Sequence, residues 1–356
     1  MSKQSVSLKV HKTQGENAIV LINKLKIADR NLEIQRDKEF IYIPLLSQPS
    51  KTVLKTLKRE IANLEVTSYT FPKRAGEAKT LMEVLDGKLP PHLLAVLPRS
   101  ADIVGDIAIV EIPPELEPHK TIVGEAILKT HKNVRTVLAK AGAVSGIFRL
   151  RDFTVITGER KTITIHKEHG CRYYVDVAKA YFSPRLSHEH KRVASLVKEC
   201  ETVVDMFAGV GPFSVLIAKI HENVKVYAVD VNPDAIEFLR RNARLNRVDS
   251  TVYPILGDAR QIAEKRLQGV ANRVIMNLPE KAMEFVDAGC QVLKPEGGIM
   301  HLYGFIKASG SVDSLKQQFA EAVEKQGRKI SGIPSSRLVR ETAPFEWQVV
   351  LDAVIR

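Results

Sequence analysis

Val203-Val204-Asp205-Met206-Phe207-Ala208-Gly209-Val210-Gly211-Pro212-Phe213-Ser214 reads as a strand end, a Gly-Ala-rich turn and the start of a helix. Two β-branched residues and an acid lead in, and a helical pattern continues through Val215-Leu216-Ile217-Ala218. Glycines at a strand-to-helix turn let a ligand approach the backbone, and the helix start offers free N–H groups. The next apolar run, Val226-Tyr227-Ala228-Val229, closes on Asp230, 19 residues after Gly211. An acid at that point can accept both hydroxyls of a ribose. The first hypothesis is therefore a cofactor that carries a ribose.

Two cofactors compete for this turn. A dinucleotide fingerprint wants G-x-G-x-x-G, and Ser214 occupies the third glycine position. Asp205 stands four residues before Gly209, at the end of the first strand. A carboxylate there suits a ligand with an ammonium group, such as the methionine part of S-adenosylmethionine. D-x-F-A-G-x-G is a methyltransferase form, so S-adenosylmethionine is preferred over a nicotinamide cofactor and over a turn that binds nothing.

The chain has 356 residues, room for two or three domains. No apolar run approaches the roughly 20 residues of a membrane span, and the N-terminus lacks a signal-peptide core. Cys171, Cys200 and Cys290 show neither metal spacing nor a disulfide framework, which fits a cytoplasmic protein. The net charge is +12, and residues 1–80 hold 15 Lys and Arg against 8 Asp and Glu. More than half of the excess thus sits in under a quarter of the chain. A basic module joined to a cofactor domain suggests a polyanionic partner, most simply a nucleic acid; the plainer reading is a solvated basic surface.

Taken in order, residues 1–72 read as a small basic α/β module. Strands are expected at Ser5–Val10 and Val66–Phe71, a hairpin around Arg36–Glu39, and helices over Glu16–Ile27 and Lys51–Leu64. Lys51, Lys55, Lys58 and Arg59 give the second helix a basic face. Residues 73–92 form a connector with one short helix. Residues 93–175 form a second, strand-rich α+β module, expected to recognise RNA. Strands are expected there at Asp102–Ile112, Phe153–Thr157 and Thr162–His166, and helices over Thr121–Lys129 and Val134–Leu138. Residues 176–356 alternate strand and helix as a doubly wound sheet requires. Helices are expected at 212–220, 233–246, 259–267, 280–293 and 312–326, and strands at 202–207, 225–230, 251–256, 273–277, 298–303 and 347–355. The last strand would run antiparallel, as in methyltransferase sheets.

Three further clusters carry chemistry. Asp230-Val231-Asn232-Pro233 follows the second strand, and Pro233 suits a first helical turn. Gly257-Asp258-Ala259-Arg260 follows the third, where Asp258 could reach an adenine amino group or simply cap a helix. Asn277-Leu278-Pro279-Glu280 follows the fourth, at the edge where substrates bind. An Asn/Asp-Pro-Pro-aromatic tetrad at this place holds planar target nitrogens. Here Leu278 and Glu280 replace the second proline and the aromatic. Upstream, Tyr181-Phe182-Ser183-Pro184-Arg185 turns into a helix bearing His188-Glu189-His190. Residues at i and i+2 do not face each other on a helix, so no metal site is expected.

With Phe148-Arg149 added, these motifs resemble the archaeal and eukaryotic tRNA (guanine-N1)-methyltransferases, which modify the guanosine 3′ of the anticodon. The resemblance covers about residues 93–356 and implies a Rossmann-like class I S-adenosylmethionine-dependent methyltransferase sheet with two smaller N-terminal α/β modules. Residues 1–72 resemble, less specifically, the family's tRNA-binding N-terminal domain. The cofactor is then expected against His190, Asp205, Phe207, Gly209, Gly211, Asp230, Val231, Asp258, Ala259 and Asn277. The resemblance makes Glu189 the base that takes the N1 proton and aims Arg149 at the charge developing on O6. It has Asn277 and Pro279 hold the base edge, and Tyr181 and Arg185 organise the pocket or a phosphate. The expected partner is tRNA, with no metal and no membrane, and the protein working as a monomer. A wyosine-pathway transferase acting at the same tRNA position, by methyl or aminocarboxypropyl transfer, is the alternative.

Overall fold

The computed structural model describes residues 2–72, 80–142, 146–307 and 310–356. They divide into two compact units, Met1–Glu83 and Val84–Arg356.

In the first unit, β1 (Ser2–His11), β2 (Gln35–Arg36), β3 (Phe40–Pro44) and β4 (Glu65–Pro72) form an antiparallel sheet in the order β2-β3-β1-β4. Alternation puts Leu8, Val10, Ile41 and Ile43 on one face. They bury against Ala18 and Ile22 of α1 (Gly15–Lys24) and Leu57 of α2 (Lys51–Glu60). Both helices stop short of the expected ends, before left-handed residues at Lys26 (φ 55°) and Asn63 (φ 55°). Ser50 caps α2, and Lys51, Lys55, Lys58 and Arg59 lie exposed along it.

The short helices α3 (Leu81–Leu85) and α4 (Pro91–Leu94) come next. A second sheet has the order β5-β6-β7-β8, from β5 (Asp102–Val104), β6 (Ile107–Val110), β7 (Thr136–Lys140) and β8 (Phe153–Gly158), with α5 (Lys120–Thr130) between β6 and β7. Two expectations are corrected here. The single strand over 102–112 is a hairpin broken at Gly105, whose φ is +58° and whose added Cβ would lie 2.1 Å from Thr164 Oγ1. The helix over Val134–Leu138 is instead β7. A short buried apolar run has no period to tell strand from helix, and this one pairs on both sides. The hairpin β9 (Ile163–Glu168) and β10 (Cys171–Asp176) follows, turning at His169-Gly170.

The largest sheet has seven strands in the order β13-β12-β11-β14-β15-β17-β16. Strands β11 (Thr202–Asp205), β12 (Lys225–Asp230), β13 (Val252–Leu256), β14 (Arg273–Met276) and β15 (Gly298–Lys307) run parallel. Helices α6 (Ser187–Leu196), α7 (Pro212–Ile220), α8 (Pro233–Asn246), α9 (Ala259–Arg266), α10 (Val286–Val292) and α11 (Val312–Glu324) cover it. The helix expected from 280 begins only at Val286, after a 3₁₀ turn at Ala282–Phe285. A strand that was not anticipated, β16 (Ile330–Ala343), forms the edge and pairs through several bulges with antiparallel β17 (Glu346–Ile355). One core joins the smaller sheet to the large one, through Val104, Ile107 and Leu138 packed with Val193, Phe213 and Leu216. Among the described residues, no helix is long and apolar enough to cross a membrane.

A chain of paired charges runs beside this core. Arg273 Nε donates to Glu201 Oε2 at 2.7 Å, and its Nη1 lies 2.8 Å from His301 Nε2. His301 Nδ1 donates to Asp352 Oδ1 at 2.6 Å, which leaves Nε2 of a neutral imidazole to accept from Arg273; burial lowers its pKa against the opposing Asp352 bond and charge. Arg192 bridges Asp352 to Glu189. Burial alone would raise the Asp352 carboxyl, but its bonds to His301 and Arg192 outweigh that and hold it at about 2.

Candidate active site

The turns after β11, β12, β13 and β14 converge at the carboxyl edge of the sheet on a cavity of about 360 Å³. Gly211 caps α7 at φ +90°, and a Cβ there would come within 2.1 Å of Leu239 Cδ1. Gly209, at φ +54°, donates its N–H to Asp230 Oδ2 at 2.7 Å. The Asn232 amide holds the other oxygen at 2.8 Å. Burial raises the Asp230 carboxyl above the usual range and the two amides oppose the shift. Val231 lies beside it on the wall, 39% exposed, with Phe207 also on the lining.

Asp258 lines the cavity with Ala259, and it also caps α9 by accepting from Arg260 N at 3.0 Å and Gln261 N at 3.1 Å. The cap and the lining roles coexist. In the turn after β14, Asn277 Oδ1 accepts from Gln348 Nε2 at 3.2 Å. The Leu278 carbonyl accepts from the amides of Lys281 at 2.8 Å and Ala282 at 2.7 Å, which fixes Pro279 at the rim. Arg149 reaches the cavity with Nη2 3.2 Å from Glu280 Oε1 and its guanidinium 5.3 Å from the Tyr181 ring centre. Arg340 of β16 donates to the Tyr181 hydroxyl at 3.4 Å. His190 lines the floor. Its Nδ1 donates to Glu168 Oε1 at 2.6 Å, and its ring stands edge-on to Phe213 at 4.6 Å. Burial would raise the Glu168 carboxyl, but His166 and His190 outweigh it and hold it at about 2.

Four expected residues stand outside the lining. Gly211 shapes the turn from behind. Asp205 is fully buried and accepts from Ser214 Oγ at 2.7 Å, while its Oδ1 has no partner. Burial first, and the nearby Asp230 charge, push its carboxyl up to about 7. Arg185 pairs with Asp102 and Ser100 at the surface rather than turning to the cavity. Glu189 is 1% exposed. Its Oε1 accepts from Arg192 Nε at 2.6 Å and from Arg337, and its Oε2 accepts from Arg192 Nη2 and Tyr303 Oη, both at 3.2 Å. Tyr303 precedes the lining residue Phe305 by two positions on β15, and His190, next to Glu189 on α6, lines the cavity while Glu189 itself does not.

The sequence reading missed Gln348, Arg340, Arg337 and Glu168. The first three belong to β17 and β16, and their bonds to Asn277, Tyr181 and Glu189 join residues distant in sequence. For Glu168, His166-x-Glu168 at strand spacing was the available signal.

The acids at successive strand ends, the glycine turn and this strand order define a Rossmann-like S-adenosylmethionine-dependent methyltransferase. Residues 164–331 match the TRM5/TYW2 methyltransferase domain, 81–162 the TYW2 N-terminal domain and 7–53 the tRNA methyltransferase 5 N-terminal domain. The tRNA (guanine(37)-N(1))-methyltransferase Trm5b of Pyrococcus abyssi is 38% identical, over 98% of both chains. Its crystal structure superposes with a TM-score of 0.72 at 36% identity over 99% of both chains. The structure of aTrm5 in complex with tRNALeu gives a TM-score of 0.68 at 32% identity, over 99% of this chain and 100% of that one. The tRNA 4-demethylwyosine(37)-methyltransferase Taw21 of Saccharolobus solfataricus is 35% identical, over 70% of this chain and 92% of its own. The chain belongs to the tRNA (guanine(37)-N(1))-methyltransferase family.

Proposed function

We propose that this protein methylates N1 of the guanosine 3′ of the anticodon in tRNA, using S-adenosylmethionine, as a cytoplasmic monomer that needs no metal. The observation that carries this reading is a single cavity lined by Asp230, Asp258, Asn277 and Arg149. When bound, S-adenosylmethionine supplies an electrophilic methyl on its sulfonium. Asp230, clamped by two backbone amides, offers its remaining lone pairs to the ribose hydroxyls. Asp258, Ala259, Val231 and Phe207 receive the adenine. His190, pinned by Glu168, and Gly209 flank the amino-acid end. The orphan Oδ1 of Asp205 fits this cofactor, since an ammonium brought to the loop supplies the missing partner.

On the target side, Asn277 and Pro279 hold the base edge and Tyr181 offers a stacking face. The base reaches them by leaving the anticodon-loop stack. Glu189 takes the N1 proton, which frees the N1 lone pair to accept the methyl that bound S-adenosylmethionine would supply. Arg149 stabilises the negative charge that spreads to O6. Arg185 meets a neighbouring phosphate, and the basic module at 1–72 adds to tRNA capture.

The test is to incubate the protein with an unmodified tRNA transcript and labelled S-adenosylmethionine, then digest and weigh the nucleosides. N1-methylguanosine at position 37 is expected. An added aminocarboxypropyl group, or methyl found only on a carbon of a wyosine precursor, would replace this reading with the alternative.

A further inference from the structure

We propose that Arg337 is a positioning residue that occupies Glu189 in the RNA-free protein and leaves it for a phosphate of bound tRNA. This rests on the reading of Glu189 as the base. A carboxylate has about four acceptor sites. Four donors already reach Glu189: Nε and Nη2 of Arg192 from its own helix, Tyr303 Oη from β15, and Arg337 from β16. Asp352 of β17 faces the group only through Arg192. With every lone pair engaged, the carboxylate cannot receive the N1 proton. One donor has to withdraw.

The surroundings decide which. Tyr303 is fully buried, and Arg192 is locked by a second carboxylate, Asp352, with its side chain 15% exposed. Arg337 is different in four respects. Its side chain is 34% exposed. Glu189 is the one acceptor found for it among the described residues. Its Nε is buried without a partner. Its strand is the sheet edge, with bulges on both sides of it. Arg340, next but two along the same strand, bonds Tyr181, Ser183 and Gln348 at the cavity. A guanidinium that is half solvated, on an edge strand beside the site of a polyanion, is suited to exchanging a carboxylate for a phosphate.

The experiment compares wild type with Arg337→Gln and Arg337→Lys, using unmodified tRNA transcript. Single-turnover methyl transfer is measured at saturating tRNA, tRNA affinity across a salt series, and cofactor binding by calorimetry as the check on folding. Arg337→Gln is expected to keep the saturating rate within threefold of wild type or above it. Its tRNA binding is expected to weaken roughly tenfold and to lose about one unit of salt slope. Arg337→Lys is expected to restore the salt slope. A tenfold or greater fall in the saturating rate, in a variant that binds cofactor normally, would overturn the proposal, as would unchanged tRNA affinity and salt slope. The wild-type arm separates the two failures: if it yields no N1-methylguanosine, the function reading is at fault.

Discussion

Replacing Glu189 by Gln tests the base and the buried pairing together, and the structure sets both magnitudes. The carboxylate accepts two bonds from Arg192, one from Tyr303 and one from Arg337. Glutamine keeps one oxygen and turns an NH₂ toward donors, so the Arg192 and Arg337 charges lose their shared counter-ion. Breaking a buried pair in this way costs roughly 3–5 kcal/mol, or about 10 °C of melting temperature for a unit of this size. Loss of a general base lowers the chemical step by about 10²–10⁴-fold, which is about 3–5 kcal/mol of barrier. The two costs are similar in size, so a multiple-turnover assay at growth temperature would confuse them. Single-turnover transfer, well below the melting point and with cofactor and tRNA saturating, isolates the chemistry. The rate of Glu189→Gln should fall at least a hundredfold with both affinities near wild type. The residual rate should climb with pH as guanine N1 ionises unaided. Transfer within about threefold of wild type, on the same pH curve, would refute Glu189 as the base and leave it a structural ion-pair residue.

Asp230→Ala should weaken cofactor binding by roughly 1.5–3 kcal/mol for each ribose bond lost, with tRNA affinity unchanged; calorimetric titration of both ligands checks it. Removing residues 1–72 should raise the tRNA concentration needed and flatten the salt dependence, while cofactor affinity stays put; loss of cofactor binding in a folded truncation would contradict this. Glu168 has its pKa depressed from 4.5 to about 2, so its contribution is complete above the unfolded value and fades as pH falls from 4.5 toward 2. Glu168→Gln should therefore remove on the order of 3 kcal/mol at neutral pH and very little near pH 2, read from denaturant midpoints across that range.

The parts of the fold that local chemistry specifies were legible. Helices α7 and α8 begin and end where expected, because Pro212 and Pro233 suit the first turn, Gly211 and Asn232 cap them, and Arg247 closes α8 in the left-handed region. The acids at the ends of β11, β12 and β13 were legible for the same reason. What escaped is non-local. Strand β16 is an edge strand with a broken register, so it lacks the alternation that marks a half-buried strand. The bond between Arg337 and Glu189 spans 148 positions, and no window of sequence contains both. Asp258 was ambiguous in sequence and is both a cap and part of the wall.

The chain of paired charges beside the core has an evolutionary consequence. Around the neutral His301 it places three acids, Glu201, Asp352 and Glu189, against three guanidiniums, Arg273, Arg192 and Arg337. The array is balanced, so losing one of its buried members, Glu201, Arg273, Asp352, Arg192 or Glu189, strands an odd charge that water reaches poorly, whereas Arg337 is partly exposed. Substitutions here should therefore be accepted in compensating couples, such as Glu201 with Arg273, more readily than singly. Positions far apart along the chain then drift together, and a signature of correlated change should trace this array through related sequences even where the individual residues differ.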